Sequence, residues 1–250
     1  VCACDGRGSR LRAAAGIRTR RWQYDQSGVV TTLAHEKPHR GTAYEHFLPS
    51  GPFAMLPLPD APDGTHRSSI VWTERHAMAQ KAVELDDATF AREVLRRFGE
   101  GHGQVWPIAP RFRYPLSGLH ADSYIDRRMA LVGDAAHAIH PIAGQGLNLG
   151  LRDVAALTEC IVDARRLGLD VGHRDVLLRY QRWRRPDNLM LVAATDGLDR
   201  LFSNDLAPVR LARDLGMAAV DRMGPLKMLF MRHAMGMLGD LPRLVRGQPL

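Results

Sequence analysis

Between residues 24 and 73 the apolar positions come in short runs broken by proline and glycine. Val29–Thr32, Tyr44–Leu48, Phe53–Leu58 and Ile70–Thr73 are separated by turns such as Ser50-Gly51-Pro52 and Asp63-Gly64. Runs of this length and composition, bounded by turn formers, predict an antiparallel sheet. The period then changes. Phe90, Val94, Leu95 and Phe98 fall at helical spacing, with Asp86 placed to cap the helix start and Gly99 to stop it. Val105–Tyr114 reads as strand again, and Met129–Val132 is a short apolar strand ending at Gly133-Asp134. Beyond it the chain is mostly helical. Leu147, Leu151, Val154 and Ile161 share one face of a helix running to about Gly168; Val176–Leu201 is a second helix with Pro186 as kink or break; Pro225–Leu238 is a third, rich in Met and Leu. At the other end, an extended Val1–Cys4 gives way to a turn at Asp5–Ser9 and an Arg- and Ala-rich helical turn closing by Gly16. The expected class is α/β with mixed α+β character.

With 250 residues the chain can bury a sizeable core, and 45% hydrophobic with 24% charged residues is ordinary for a globular protein. The formal charge of +7 and isoelectric point near 9.8 point to an anionic partner: nucleic acid, a membrane surface or an anionic ligand. Nucleic acid is set aside, because the arginines are scattered, no block of five like charges occurs and aromatics are only 6%. Cys2, Cys4 and Cys160 make no disulfide framework, and two thiols on one strand make a poor zinc site, so buried thiols in a reducing compartment are expected. No apolar run is long enough to cross a bilayer. The sequence starts without Met and in mid-strand, which reads as a piece of a longer chain.

Residues 130–153, ALVGDAAHAIHPIAGQGLNLGLRD, carry the most chemistry. A buried strand delivers Asp134 at its C-terminal end, where ligands gather in open α/β sheets and where a carboxylate can accept hydrogen bonds from ribose. A Pro- and Gly-bearing loop, Pro141–Gly146, feeds directly into the helix beginning near Leu147. Its glycines let the backbone approach a ligand, and the free N–H groups of Gln145–Leu149 favour negative charge, as on a reduced flavin. On spacing alone a second reading stands beside this one: Asp134 caps a turn and the glycines only shape a loop.

The same segment, Gly133-Asp134-Ala135-Ala136-His137, then Pro141, then Gly144-Gln145-Gly146-Leu147-Asn148, closely resembles the second FAD-binding motif of the para-hydroxybenzoate hydroxylase-like flavin monooxygenases. The resemblance implies that Gly133 and Asp134 meet the ribitol or ribose of FAD. It places the Pro141–Gly146 loop beside the isoalloxazine ring and has Leu147 and Asn148 offer backbone N–H groups to its pyrimidine edge. Cys4-Asp5-Gly6-Arg7-Gly8-Ser9-Arg10 is similar to the Asp-Gly motif of that family, which puts Asp5, Gly6 and Ser9 near FAD and NAD(P)H. The family's N-terminal G-x-G-x-x-G unit is not matched in this sequence.

Phe47–Leu58, Ser69–Thr73, Thr195–Leu198 and Leu201–Asn204 are similar to stretches of the ubiquinone-biosynthesis hydroxylases within that family. This implies the C-terminal part of a para-hydroxybenzoate hydroxylase-like fold. Residues 1–22 would end the FAD domain, 23–115 would form the antiparallel substrate sheet, 116–170 would return to the FAD domain, and 171–250 would be helical. It implies NAD(P)H reduction of FAD followed by O2-dependent hydroxylation of a polyprenylated phenol, in the cytoplasm or on the inner membrane's surface, with a peripheral membrane contact or a ubiquinone-biosynthesis complex as partner. The alternatives are an inactive fragment of such an enzyme and a related monooxygenase for another aromatic. No side chain is expected as catalytic acid or base, because the cofactor carries the chemistry. His137 and His140 are read as lining or bracing the flavin loop rather than binding metal, since a third ligand is lacking. Trp72, Trp106 and Tyr114 are read as core rather than as the lining of a substrate cavity. For Pro225–Arg246, with its Met-rich apolar positions and Lys227, Arg232, Arg243 and Arg246, a membrane-surface helix and an ordinary packed helix stand side by side.

Overall fold

In chain order the computed structural model has β1 (Cys2–Ala3), α1 (Arg10–Ala14), β2 (Thr19–His35), β3 (Tyr44–Leu48), β4 (Gly51–Leu58), β5 (His66–Arg75), α2 (His76–Glu84) and α3 (Asp87–Phe98). It continues through β6 (Val105–Pro107), β7 (Phe112–Ala121), β8 (Ile125–Asp126), β9 (Met129–Leu131), β10 (His137–Ala138), α4 (Gly146–Arg166), α5 (Arg174–Phe202), α6 (Ala207–Arg222) and α7 (Gly224–Ala234). Residues 1–202, 207–234 and 239–250 are described. The chain divides into two units: residues 1–22, 117–197 and 212–250 form one, and residues 23–116 and 198–211 the other.

The second unit is the expected antiparallel sheet. β5 pairs with both β2 and β4, β3 pairs with β4, and β6 pairs with β2. Register sets Trp72 opposite Val29 on one side and Phe53 on the other. Those three residues, with Leu33, Met55 and Ile70, form a core closed by Ala79 and Ala82 of α2 and Phe90 and Val94 of α3. The α3 ends are those the sequence predicts: Asp86 accepts from the Thr89 amide at 2.9 Å, and Gly99 stops the helix at φ 89°. Arg97 lies over the Trp72 ring at 4.0 Å.

The first unit is built on a small sheet in which β9 pairs in parallel with β1 and antiparallel with β8. The buried β9 packs on α4 and α5 through Leu131, Ala156, Cys160, Leu177 and Tyr180, and the Tyr180 hydroxyl donates to the Leu131 carbonyl at 2.7 Å. β10 pairs with β7, His137 opposite His120.

Several expectations change. Cys2 and Cys4 are exposed and only Cys160 is buried, because side chains alternate along the extended chain and it is Ala3, between the two cysteines, that faces the core. Leu147, Leu151 and Val154 are 74%, 57% and 48% exposed; α4 instead buries Leu149, Asp153, Ala156, Leu157 and Cys160, so its inner face mixes leucine and small residues with a carboxylate. Trp72 is core, but Trp106 and Tyr114 are exposed. α5 runs through Pro186 without a break, and α2 and α6 are helices that the apolar pattern did not single out. In the C-terminal region Lys227 makes an exposed pair with Asp221, and Arg243 is held by Glu159 and Asp163. Met235, Met237, Ser203 and Asn204 lie outside the described residues.

Candidate cofactor site

The two motifs, more than 120 residues apart, meet in the first unit. Asp5 turns its carboxylate onto the Arg10 and Leu11 amides at 2.8 and 3.2 Å, and Ser9 caps α1 by accepting from the Arg12 amide at 2.9 Å. The Ser9 hydroxyl together with the Leu11 and Arg10 amides holds the Asp5 carboxyl below its ordinary range. Gly6 sits at φ 78°, the left-handed region, where the chain reverses into α1. That fold-back buries Arg12, whose guanidinium donates to the Ala135 carbonyl at 2.7 Å and the Arg7 carbonyl at 2.9 Å. Arg7 in turn donates to Ser117 Oγ at 2.9 Å and lies 3.7 Å from Asp134.

Asp134 stands in a single turn of 3-10 helix, Gly133–Ala135, directly after β9. Its side chain is 47% exposed, whereas its neighbour Ala135 is buried. Gly133 enters the turn at φ 60°, and its Cα approaches Gly150 of α4 so closely that a Cβ on Gly150 would lie 3.5 Å from it. The turn therefore rests on the helix that follows the glycine loop.

That loop runs through a second 3-10 turn, Ile142–Gly144, with Gly144 at φ 60° and no atoms within 4 Å of where its Cβ would be. Pro141 begins it with backbone in the helical region. Gln145 occupies the cap position of α4 without capping it by a side-chain hydrogen bond; its Oε1 accepts from Asn148 Nδ2 at 3.3 Å. The Leu149 amide bonds to the Gln145 carbonyl at 3.0 Å. The amides of Gly146, Leu147 and Asn148 precede that first full turn and have no intrahelical acceptor, so they present a positive helix end. With no side-chain cap, two open glycines and a half-exposed carboxylate on the turn packed against the same helix, the residues fit an extended ligand carrying hydroxyls and an electron-rich ring.

Behind these residues lies a group that the motifs did not announce. Asp153 of α4 is fully buried and accepts four hydrogen bonds: from the Gly133 amide (3.1 Å), His137 Nε2 (2.5 Å), Arg184 Nε (2.9 Å) and Asn188 Nδ2 (3.0 Å). Burial opposes its charge, but the bond and charge of His137, the charge of Arg184 and the hydrogen bond from Asn188 hold its carboxyl below the ordinary range. His137 thus braces the turn through a carboxylate, and among the described residues no cluster of three His, Cys, Asp or Glu is arranged to hold a metal.

A strand-end carboxylate, a glycine loop and a helix start without a side-chain cap come together in the first unit of a mixed α/β scaffold. The family model described as FAD binding domain matches residues 1–193, and the chain belongs to that family. It is 55% identical over 253 residues to ubiquinone hydroxylase UbiL of Rhodospirillum rubrum, an alignment covering 100% of this chain and 58% of that protein. It is 38% identical over 237 residues to 3-demethoxyubiquinol 3-hydroxylase of Escherichia coli, covering 95% of this chain and 59% of that one. The chain therefore spans less than two thirds of the length of these relatives. Among solved structures, PqsL of Pseudomonas aeruginosa in complex with 2-aminobenzoylacetate superimposes with a TM-score of 0.68 at 24% identity, over 82% of this chain and 56% of that one. The likeness establishes the fold, and the mixed α/β class expected from the sequence holds.

Proposed function

We propose that this chain supplies the motif-bearing part of the FAD site and the substrate sheet of a flavin-dependent monooxygenase. The whole protein would hydroxylate the ring of a polyprenylated phenol in ubiquinone biosynthesis, using NAD(P)H and O2. The observation that carries the reading is the Arg12 bond to Ala135, because it joins the Asp5–Ser9 segment to the Asp134 turn as a single site requires. The relatives named for hydroxylation of ubiquinone precursors supply the substrate class.

In this reading Asp134 accepts from ribose or ribityl hydroxyls. Gly144, Gln145 and Gly146 let the ring lie against the loop, and the Leu147 and Asn148 amides stabilise negative charge at its edge. Asp5, Gly6 and Ser9 shape the loop that carries Arg7 rather than reaching the cofactor with free side chains, since Asp5 and Ser9 are already bonded within it. FAD supplies hydride acceptance and oxygen activation when bound; the protein orients it and keeps water away. No helix among the described residues is long and apolar enough to cross a membrane. A lipid-tailed substrate would be met at the bilayer surface, a role supported by the exposed Met223, Met228 and Met231.

The test is turnover of the full-length protein with a polyprenylated phenol, NADH or NADPH and isotopically labelled O2. One labelled oxygen in the ring is the expected product by mass spectrometry. Oxidation of NAD(P)H with no oxygen transfer to any such phenol contradicts the substrate assignment.

A further inference from the structure

One buried carboxylate on α4 joins three separate segments. The Gly133 amide and His137 Nε2 reach Asp153 Oδ2 from either side of the Asp134 turn, and Arg184 and Asn188 of α5 reach Oδ1. Arg184 is itself buried and also donates to Asp187 at 2.6 Å and to Asn188 Oδ1 at 2.9 Å, so each charge in the group has a partner. Three ionisable side chains under the turn are an expensive way to hold it, because packed aliphatics of equal volume avoid the desolvation cost. What a hydrogen-bonded ion group adds is direction: it fixes one amide and one ring plane in a single register. The amide it fixes belongs to Gly133, in the left-handed region at φ 60°, and the next residue is the half-exposed Asp134.

We propose that Asp153 is a positioning residue, acting with His137 and Arg184, that locks the Gly133–Ala135 turn so that Asp134 faces the sugar hydroxyls of FAD. The proposal rests on the FAD reading given above. Asp153 touches no cofactor; it acts through the Gly133 amide and the His137 ring.

The experiment uses the full-length holoprotein and compares His137→Leu, His137→Gln, Asp153→Asn and Asp134→Ala. It reads FAD affinity, the visible circular dichroism of the FAD-saturated protein and the melting temperature. His137→Leu removes a donor to a buried carboxylate and is expected to weaken FAD about tenfold and to change the flavin dichroism at saturation. His137→Gln, which places an amide N–H near the lost Nε2, is expected to restore most of both. Asp153→Asn should follow His137→Leu; if it fails to fold, the His137 pair carries the test alone, because it leaves Asp153 and Arg184 in place. Variants that melt earlier yet bind FAD with wild-type affinity and unchanged dichroism would make the group a packing device and overturn the proposal. Asp134→Ala separates the two levels. Wild-type affinity there overturns the FAD reading of the turn itself, whereas a loss confined to Asp134→Ala overturns only the positioning role.

Discussion

The guanidinium of Arg12 and the carbonyl of Ala135 are separated by 123 residues of sequence and 2.7 Å of space. Arg12 is buried with its charge met by main-chain carbonyls, its second nitrogen donating to Arg7. The bond sets the loop after β1 against the turn after β9, neighbouring parallel strands of one small sheet. Two stretches that look unrelated along the chain are thereby one surface.

Replacing Arg12 with Met removes both bonds and leaves the Ala135 carbonyl buried and unpaired. The expected loss is about 3 kcal/mol of stability, with Arg12→Lys intermediate because one ammonium cannot keep the same forked geometry. Denaturant unfolding of the full-length protein measures it. A change below about 0.5 kcal/mol would mean that water satisfies these carbonyls.

Asp153→Ala should be more damaging, since it takes the shared acceptor from the Gly133 amide, His137 Nε2, Arg184 Nε and Asn188 Nδ2 and leaves the buried Arg184 with Asp187 alone to balance its charge; about 3–5 kcal/mol is expected. Adding Arg184→Met should recover part of that loss. A double variant whose loss is the simple sum of the two single losses would show that the pair is not coupled as the distances indicate.

Acid should destabilise the fold through His120. Burial first, then the nearby charges of Arg185 and His137, lower its folded-state pKa to about 4 from an ordinary 6.5. A depressed histidine pKa means that the unfolded chain binds the proton first, so this contribution is complete above pH 6.5 and disappears as pH falls towards 4. Across that window it amounts to about 3 kcal/mol. Burial lowers the pKa of His35 and of His102 as well, and both act in the same direction. Stability measured against pH should rise from 4 to 6.5, and His120→Gln should flatten the rise. An unchanged slope in that variant would remove His120 as its source.

Much of this was open to a reading of residues. The ends of α3 followed from Asp86 and Gly99, because caps are local chemistry that a single sequence displays. The β3 to β5 strands followed from turn residues between apolar runs, and the Gly133–Asn148 segment stood out through its glycines and its strand-to-helix order. The face of α4 was misread for a physical reason. Leu147, Leu151 and Val154 look like a core stripe, yet the helix turns Asp153 inward, and its partners Arg184 and Asn188 lie 31 and 35 residues further on. A buried carboxylate is invisible to apolar periodicity until its donors are known. The exposed Cys2 and Cys4 and the exposed Trp106 likewise depend on which face of the strand the rest of the chain covers, which no local pattern contains.

The central claim is that the Asp5–Arg12 loop and the Asp134 turn form one FAD site, and FAD titration of the full-length protein by flavin fluorescence quenching tests it most directly. Quenching to a defined stoichiometry, with Asp134→Ala and Arg12→Met each binding about tenfold more weakly, is the expected result. A full-length protein that quenches no flavin, or variants that bind as tightly as the parent, would contradict it.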